Sequence, residues 1–259
     1  CKFCAQRAHY NTGCTEVYDL LPTEEILKEA KYNDDQGVLR YSIVTSGKRL
    51  TDAELEQVCD SIRKIKEETN IEVCFSFGLL NEEQLRKVRE AGATRAHCNL
   101  ETSRRYFPEI CTTHTYDQKI ETLKAAVAAG LSICSGGIMG LGETIEDRVD
   151  MVFTVKELGV KSVPVNFLNP IPGTPFEGNT PLTEEEARQC VAVFRFIIPD
   201  ASIRLAGGRG LLGDKGKECF QSGANAAISG DMLTTAGITV QKDMEMLEEL
   251  GYKPELWED

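Results

Sequence analysis

Two cysteines separated by two residues head the chain, in Cys1-Lys2-Phe3-Cys4. Thiolates at this spacing can reach one metal ion or one iron–sulfur cluster. The same pair is half of a zinc knuckle, or a thioredoxin-type redox pair. A zinc knuckle needs a second ligand pair, and no other CxxC occurs in the sequence. A redox pair opens the helix of a thioredoxin-like unit, which the element pattern below opposes. The apolar Phe3 between the cysteines suits a cluster loop that touches a purine. Ten cysteines in 259 residues exceed what packing asks of them, and the chain is too long for a small disulfide scaffold. Metal or redox chemistry is the expectation.

Further segments carry groups of chemical use. Ser135–Thr144 (SGGIMGLGET) follows an apolar run. Its four glycines bring backbone amides close to a ligand, or simply make a tight turn. The absence of GxxxxGK counts against a P-loop. In Cys98-Asn99-Leu100-Glu101-Thr102, Asn99 offers donors and an acceptor, and the Glu101 carboxylate suits a ribose diol. Glu101-Thr102-Ser103 also reads as a helix cap. Asn166 enters a proline-rich turn and can donate to and accept from a urea-like group, or serve a stiff loop. Cys74 and Cys134 lie within apolar runs. They are packing residues unless they meet, in which case they make a second metal site. Arg204 needs a partner if it points inward. Cys14, Cys59, Cys111, Cys190 and Cys219 read as structural, and His9 and His114 as loop residues without ligand spacing.

Something must position these groups. Short β-rich runs cover Leu39–Thr45, Ile71–Phe77, Thr94–Leu100, Leu131–Ser135, Ser162–Leu168, Ala201–Ala206 and Ala226–Ser229. Between them, amphipathic stretches open at Thr51-Asp52, Asn81-Glu82-Glu83, Tyr116-Asp117, Thr144 and Thr183, and most end near Gly or Pro. Met244 and Met246 look like core. A helix between successive strands makes each strand parallel to the last. Seven βα units, with an eighth strand expected before Cys1, predict an α/β fold. It is a (β/α)8 TIM-type barrel, one domain over residues 1–259 closed by its C-terminal segment. An open doubly wound sheet is the alternative. In a barrel the chemistry sits at the C-terminal ends of the strands. That rule selects Cys74, Asn99, Glu101, Cys134, Asn166 and Arg204, and puts Cys1 and Cys4 in the loop after the expected first strand.

A net charge of −12 argues against nucleic acid as a partner. No apolar run approaches the roughly 18 residues of a membrane span, and no signal peptide is visible. A cytoplasmic protein is expected. The chain opens on a cysteine with no initiator Met, so a longer parent sequence is expected.

Taken in order, these segments resemble the biotin synthase family of radical S-adenosylmethionine (SAM) enzymes along essentially the whole chain. The resemblance rests on Cys1–Tyr10 (CKFCAQRAHY), Asn99–Ser103 (NLETS), Thr112–Tyr116 (TTHTY) and Ile133–Thr144 (ICSGGIMGLGET). It also rests on Pro164–Leu168 (PVNFL), Gly173–Pro175 (GTP), Ile203–Leu205 (IRL), Gly223–Asn225 (GAN) and Leu233–Thr235 (LTT). It implies a CxxxCxxC loop whose last two cysteines are Cys1 and Cys4, holding a [4Fe–4S] cluster that binds SAM. Reductive cleavage of SAM would then abstract hydrogen from dethiobiotin, and a second, auxiliary cluster would give up sulfur to close the ring. Phe3 is implied near the adenine and Glu101 at the ribose. Asn99 and Asn166 fall to substrate and SAM, and Cys74, Cys134 and Arg204 to the auxiliary cluster. A flavodoxin- or ferredoxin-type electron donor and a homodimer are implied as well.

One position departs from the pattern. Ser42 stands where the family carries a third auxiliary cysteine, so the usual [2Fe–2S] site is altered. Cys98 is expected to supply the missing thiolate, with Ser42 the other candidate. Strict strand alternation opposes Cys98, because it faces opposite to Asn99. Two other functions stay open. One is a radical SAM enzyme without sulfur insertion, of the hydrogenase-cofactor maturase or amino-acid mutase type. The other is a non-catalytic metal-binding protein.

Overall fold

Five of the described helices begin with a reciprocal side-chain cap. Thr51, Asn81, Thr115, Thr144 and Thr183 each accept a hydrogen bond from the backbone amide three residues on. Glu54, Gln84, Gln118, Asp147 and Glu186 at those positions accept one in return from the capping residue's amide. Such a cap contributes about 1 kcal/mol. They open α2 (Asp52–Glu68), α3 (Glu82–Glu90), α5 (Tyr116–Ala128), α6 (Ile145–Glu157) and α7 (Glu184–Ile197). The remaining helices are α1 (Thr23–Asp35), α4 (Phe107–Ile110), α8 (Lys217–Gln221) and α9 (Val240–Glu249). The computed structural model describes residues 1–256 apart from 7–9, 11, 14, 15, 17 and 231–236. Cys14, His9 and the Leu233–Thr235 match lie outside the described residues.

Every expected β-rich run holds a strand. They are β1 (Arg40–Val44), β2 (Glu72–Ser76), β3 (Arg95–His97), β4 (Ser132–Cys134), β5 (Gly137–Met139), β6 (Ser162–Phe167), β7 (Ser202–Leu205) and β8 (Ala226–Ala227). The pairings are all parallel, in the order β1-β2-β3-β4-β6-β7-β8, with β5 beside β6. Cys134 pairs with Ser162 and Gly137 with Val165. The offset is unchanged, so β4 and β5 are two halves of one strand. The result is a parallel barrel wall of seven strand positions wrapped by helices, as the sequence predicts.

Period-two alternation sorts the side chains. Ile43, Val73, Phe75, Ala96, Cys98, Ile133, Val163, Val165, Ile203 and Leu205 join the apolar layer under the helices. There they meet Leu55, Val58 and Ile62 of α2, Val88 of α3, Leu123 of α5, Val155 of α6 and Val191 of α7. Each fully buried aliphatic side chain contributes roughly 1.5–3 kcal/mol. The opposite faces of the same strands carry Ser42, Cys74, His97, Cys134, Ser162 and Arg204. The C-terminal helix is tied down by Arg209, whose Nη2 donates to both Asp243 carboxylate oxygens at 2.8 and 2.7 Å. Met244, expected in the core, is exposed, because α9 turns only part of its surface to the barrel.

Candidate active site

Cys1, Phe3 and Cys4 are half-buried, and the Lys2 amide donates to the Ile110 carbonyl at 2.8 Å, which fixes this loop against α4. The Cys1 thiol lies 3.6 Å from that of Cys111, which in turn lies 3.5 Å from His114 Nδ1. Burial pushes the Cys111 thiol up, but hydrogen bonds from His114 and Thr113 outweigh it and bring it down to about 6. The potential ligand atoms of Cys1, Cys111 and His114 all lie within 4.8 Å of one another, the spacing of a candidate metal site. Cys111, read from the sequence as structural, and His114, read as a loop residue without ligand spacing, thus both lie close to Cys1. Their link to Cys1 spans 110 positions, and no local spacing signals it.

Glu101 sits where β3 runs out. Its backbone has φ of 73°, a left-handed conformation that costs a non-glycine residue roughly 1–3 kcal/mol. It is held there from both sides: its amide donates to the Gly136 carbonyl at 3.0 Å, and its carbonyl accepts from the Ile138 amide at 2.8 Å. Its carboxylate Oε2 is buried without a hydrogen-bond partner. Burial pushes this carboxyl up, with Lys119 and His114 opposing. Glu101 caps no helix. The hydroxyl of Ser103 accepts from the Tyr106 amide at 3.0 Å and so takes the turn leading into α4.

Asn99 and Asn166 brace the split strand. Asn99 Oδ1 accepts from the Gly136 amide at 3.3 Å. Asn166 donates to the Gly137 carbonyl at 3.0 Å and accepts from the Gly207 amide at 2.9 Å. Each keeps N–H and lone-pair capacity for a ligand. A Cβ on Gly136 would fall 2.0 Å from the Pro164 carbonyl oxygen, and one on Gly137 would fall 2.5 Å from that of Glu101. These two glycines are needed for close strand approach.

Deeper in the barrel, Ser42 is in register with Cys74, and His97 with Cys134. His97 Nε2 is 3.2 Å from the Cys74 thiol. Ser162 donates to the Cys134 thiol at 3.3 Å and accepts from Arg204. That hydroxyl is the partner Arg204 required. Cys74, Cys134 and Arg204 thus share one wall. Burial alone would raise the Cys74 thiol, yet it is held below its ordinary value by His97, by a hydrogen bond with Ser42 and by the Arg204 charge. Free thiols in a cationic surround suit an anionic iron–sulfur cluster. Cys98 does not join them. Its thiol points 3.9 Å from the Lys119 carbonyl on α5, in the helix layer, and burial pushes it up. Alternation prevails over the expected third thiolate. The sequence reasoning passed over His97, although the alternation that removed Cys98 would have put its neighbour inside.

A parallel βα barrel with a CxxC loop and a second thiol-bearing wall is the architecture of a radical SAM enzyme. Residues 1–155 match the sequence model described as Radical SAM superfamily, and residues 164–253 that of the Biotin and Thiamin Synthesis associated domain. A crystal structure of methylornithine synthase superposes with a TM-score of 0.83 at 20% identity, covering 99% of this chain and 79% of that one. The FeFe-hydrogenase maturase of Carboxydothermus hydrogenoformans gives 0.82 at 18%, over 97% of this chain and 63% of that one. These likenesses speak to the fold. In sequence, the biotin synthase of Brachyspira hyodysenteriae is 59% identical over 259 residues, 100% of this chain and 78% of that protein. The biotin synthase of Akkermansia muciniphila is 58% identical over 253 residues, 98% of this chain and 78% of that protein. The chain belongs to the biotin synthase family. No helix among the described residues is long and apolar enough to cross a membrane.

Proposed function

We infer that this protein is a radical SAM sulfurtransferase that converts dethiobiotin to biotin. The observation that carries this reading is the pairing of two separate thiol-bearing sites in one barrel. Cys1 and Cys4 lie in the loop held against α4, and Cys74 and Cys134 lie on the strand wall with His97 and Ser162. An enzyme that only cleaves SAM has no use for the second site, so the maturase and mutase readings are disfavoured.

When bound, the [4Fe–4S] cluster and SAM supply hydrogen abstraction at unactivated carbon, and the auxiliary cluster supplies sulfide. The chain's own residues hold and orient. Cys1 and Cys4 would ligate the first cluster, and Phe3 would lie beside the adenine. The orphaned Oε2 of Glu101 accepts from the ribose hydroxyls. Asn99 and Asn166, already fixed by backbone bonds, direct their remaining amide groups at SAM and at the ureido ring of dethiobiotin. Cys74, Cys134 and Arg204 hold the auxiliary cluster, with Ser162 steadying both Cys134 and Arg204. The unbroken strand path supports residues 1–259 acting as one barrel domain. A flavodoxin- or ferredoxin-type donor, a homodimer and a cytoplasmic setting complete the proposal.

The test is anaerobic reconstitution of the full-length protein with iron and sulfide, followed by incubation with SAM, reductant and dethiobiotin. Biotin should form, with loss of auxiliary sulfide. Cys4→Ala should lose SAM cleavage. SAM cleavage without any biotin would overturn the reading.

A further inference from the structure

The wall that holds Cys74 and Cys134 has a gap in its thiolate set. Neither residue considered from the sequence fills it. Cys98 belongs to the helix layer, its thiol 3.9 Å from the Lys119 carbonyl. Ser42 is on β1, is exposed, and offers a neutral hydroxyl. A hydroxyl is a poor iron ligand beside imidazole or thiolate.

His97 meets the requirements. It lies on β3, between the strands of the two cysteines, and is paired in register with Cys134. Its Nε2 reaches the Cys74 thiol at 3.2 Å, so the two donor atoms are close enough to ligate one iron. On the next strand positions, Arg204 and Ser162 close the far side through Cys134. Imidazole suits iron, and histidine replaces cysteine at iron in some iron–sulfur centres, where it raises the reduction potential. We propose that His97 ligates the auxiliary iron–sulfur cluster through its imidazole nitrogen, completing the set of Cys74, Cys134 and Arg204. This deepens the sulfur-insertion reading and rests on it. It also predicts an auxiliary cluster with a higher potential than one held by thiolates alone.

The experiment counts iron and acid-labile sulfide in the reconstituted full-length holoenzyme and in His97→Ala, His97→Cys, Cys98→Ala and Ser42→Ala. Redox titration of the auxiliary cluster and pulsed EPR with 15N-histidine labelling accompany the counts. His97→Ala should lose the auxiliary iron and keep that of the SAM cluster. His97→Cys should restore the iron, lower the midpoint potential and abolish the histidine nitrogen coupling. Cys98→Ala and Ser42→Ala should keep a full count. A full auxiliary count in His97→Ala, or a loss in either of the last two variants, overturns the proposal. If His97→Ala does not fold, His97→Cys decides alone, and an unchanged midpoint potential there is the refuting result. A wild-type protein with iron for one cluster only would instead refute the sulfur-insertion reading.

Discussion

Replacing Glu101 by Gln should move stability and SAM affinity in opposite directions. The free protein buries a carboxylate oxygen without a partner, on a backbone held at φ of 73°. An unsatisfied buried polar group costs about 1–3 kcal/mol, and more when charged. Gln keeps the shape and removes the charge, so the apo protein should gain about 1 kcal/mol. The pH dependence has a definite sign. Burial, the largest influence, raises this carboxyl in the folded state. The wild type therefore loses stability as pH climbs from the ordinary glutamate value, about 4.3, through the raised one. The variant lacks this loss, so its advantage should be absent in acid and open as pH rises. SAM binding should weaken, because a neutral amide replaces a charge-assisted acceptor at the ribose. At about 1.5–3 kcal/mol the dissociation constant rises roughly 10- to 150-fold. Urea unfolding at several pH values gives the first quantity, and anaerobic calorimetry on cluster-loaded protein gives the second. Unchanged SAM affinity together with lowered stability would refute the reasoning and make Glu101 a structural residue.

Three further outcomes concern stability alone. Asp147 has its carboxyl brought down to about 2, because hydrogen bonds from Ser103, Arg105 and Thr144 outweigh its burial. Asp147→Asn should cost about 2 kcal/mol at neutral pH, a contribution present above about pH 4 and lost as pH falls toward 2, visible in acid unfolding curves. Arg209→Ala leaves Asp243 buried and unpaired, and should cost about 3–5 kcal/mol in urea titrations. The Arg209→Ala, Asp243→Ala double variant should lose less than the two single changes added together.

The barrel was legible because its punctuation is chemical. Thr51 with Glu54, or Asn81 with Gln84, writes a helix start in two residues. Runs such as Glu72–Ser76 write a strand in five. The thiol wall was half legible: Cys74, Cys134 and Arg204 follow from strand position, whereas the partner of Arg204 proved to be the hydroxyl of Ser162, whose type carries no such signal. Cys98 drew attention by element type, since sulfur advertises itself as an iron ligand. Which way a side chain faces is decided by the pleat, and the pleat turned Cys98 outward and His97 inward. The nearness of Cys111 to Cys1 depends on where α4 docks, a long-range outcome that no window of residues contains. Glu101's backbone twist is likewise set by contacts with Gly136 and Ile138 on the neighbouring strand.

The split strand also acts as a measuring rod. Cys134 ends its first half within the thiol wall, and Gly137 begins its second half against Glu101. Three residues of extended chain span about 10 Å. The place where sulfur is to be stored and the place where SAM is to be gripped are thus ticks on one ladder, and their separation is ruled by residue count. Adding one residue between the ticks would lengthen the gap by about 3.3 Å and turn the following side chains to the opposite face. A variant lengthened at Ser135 would keep every proposed ligand and still misalign donor and acceptor.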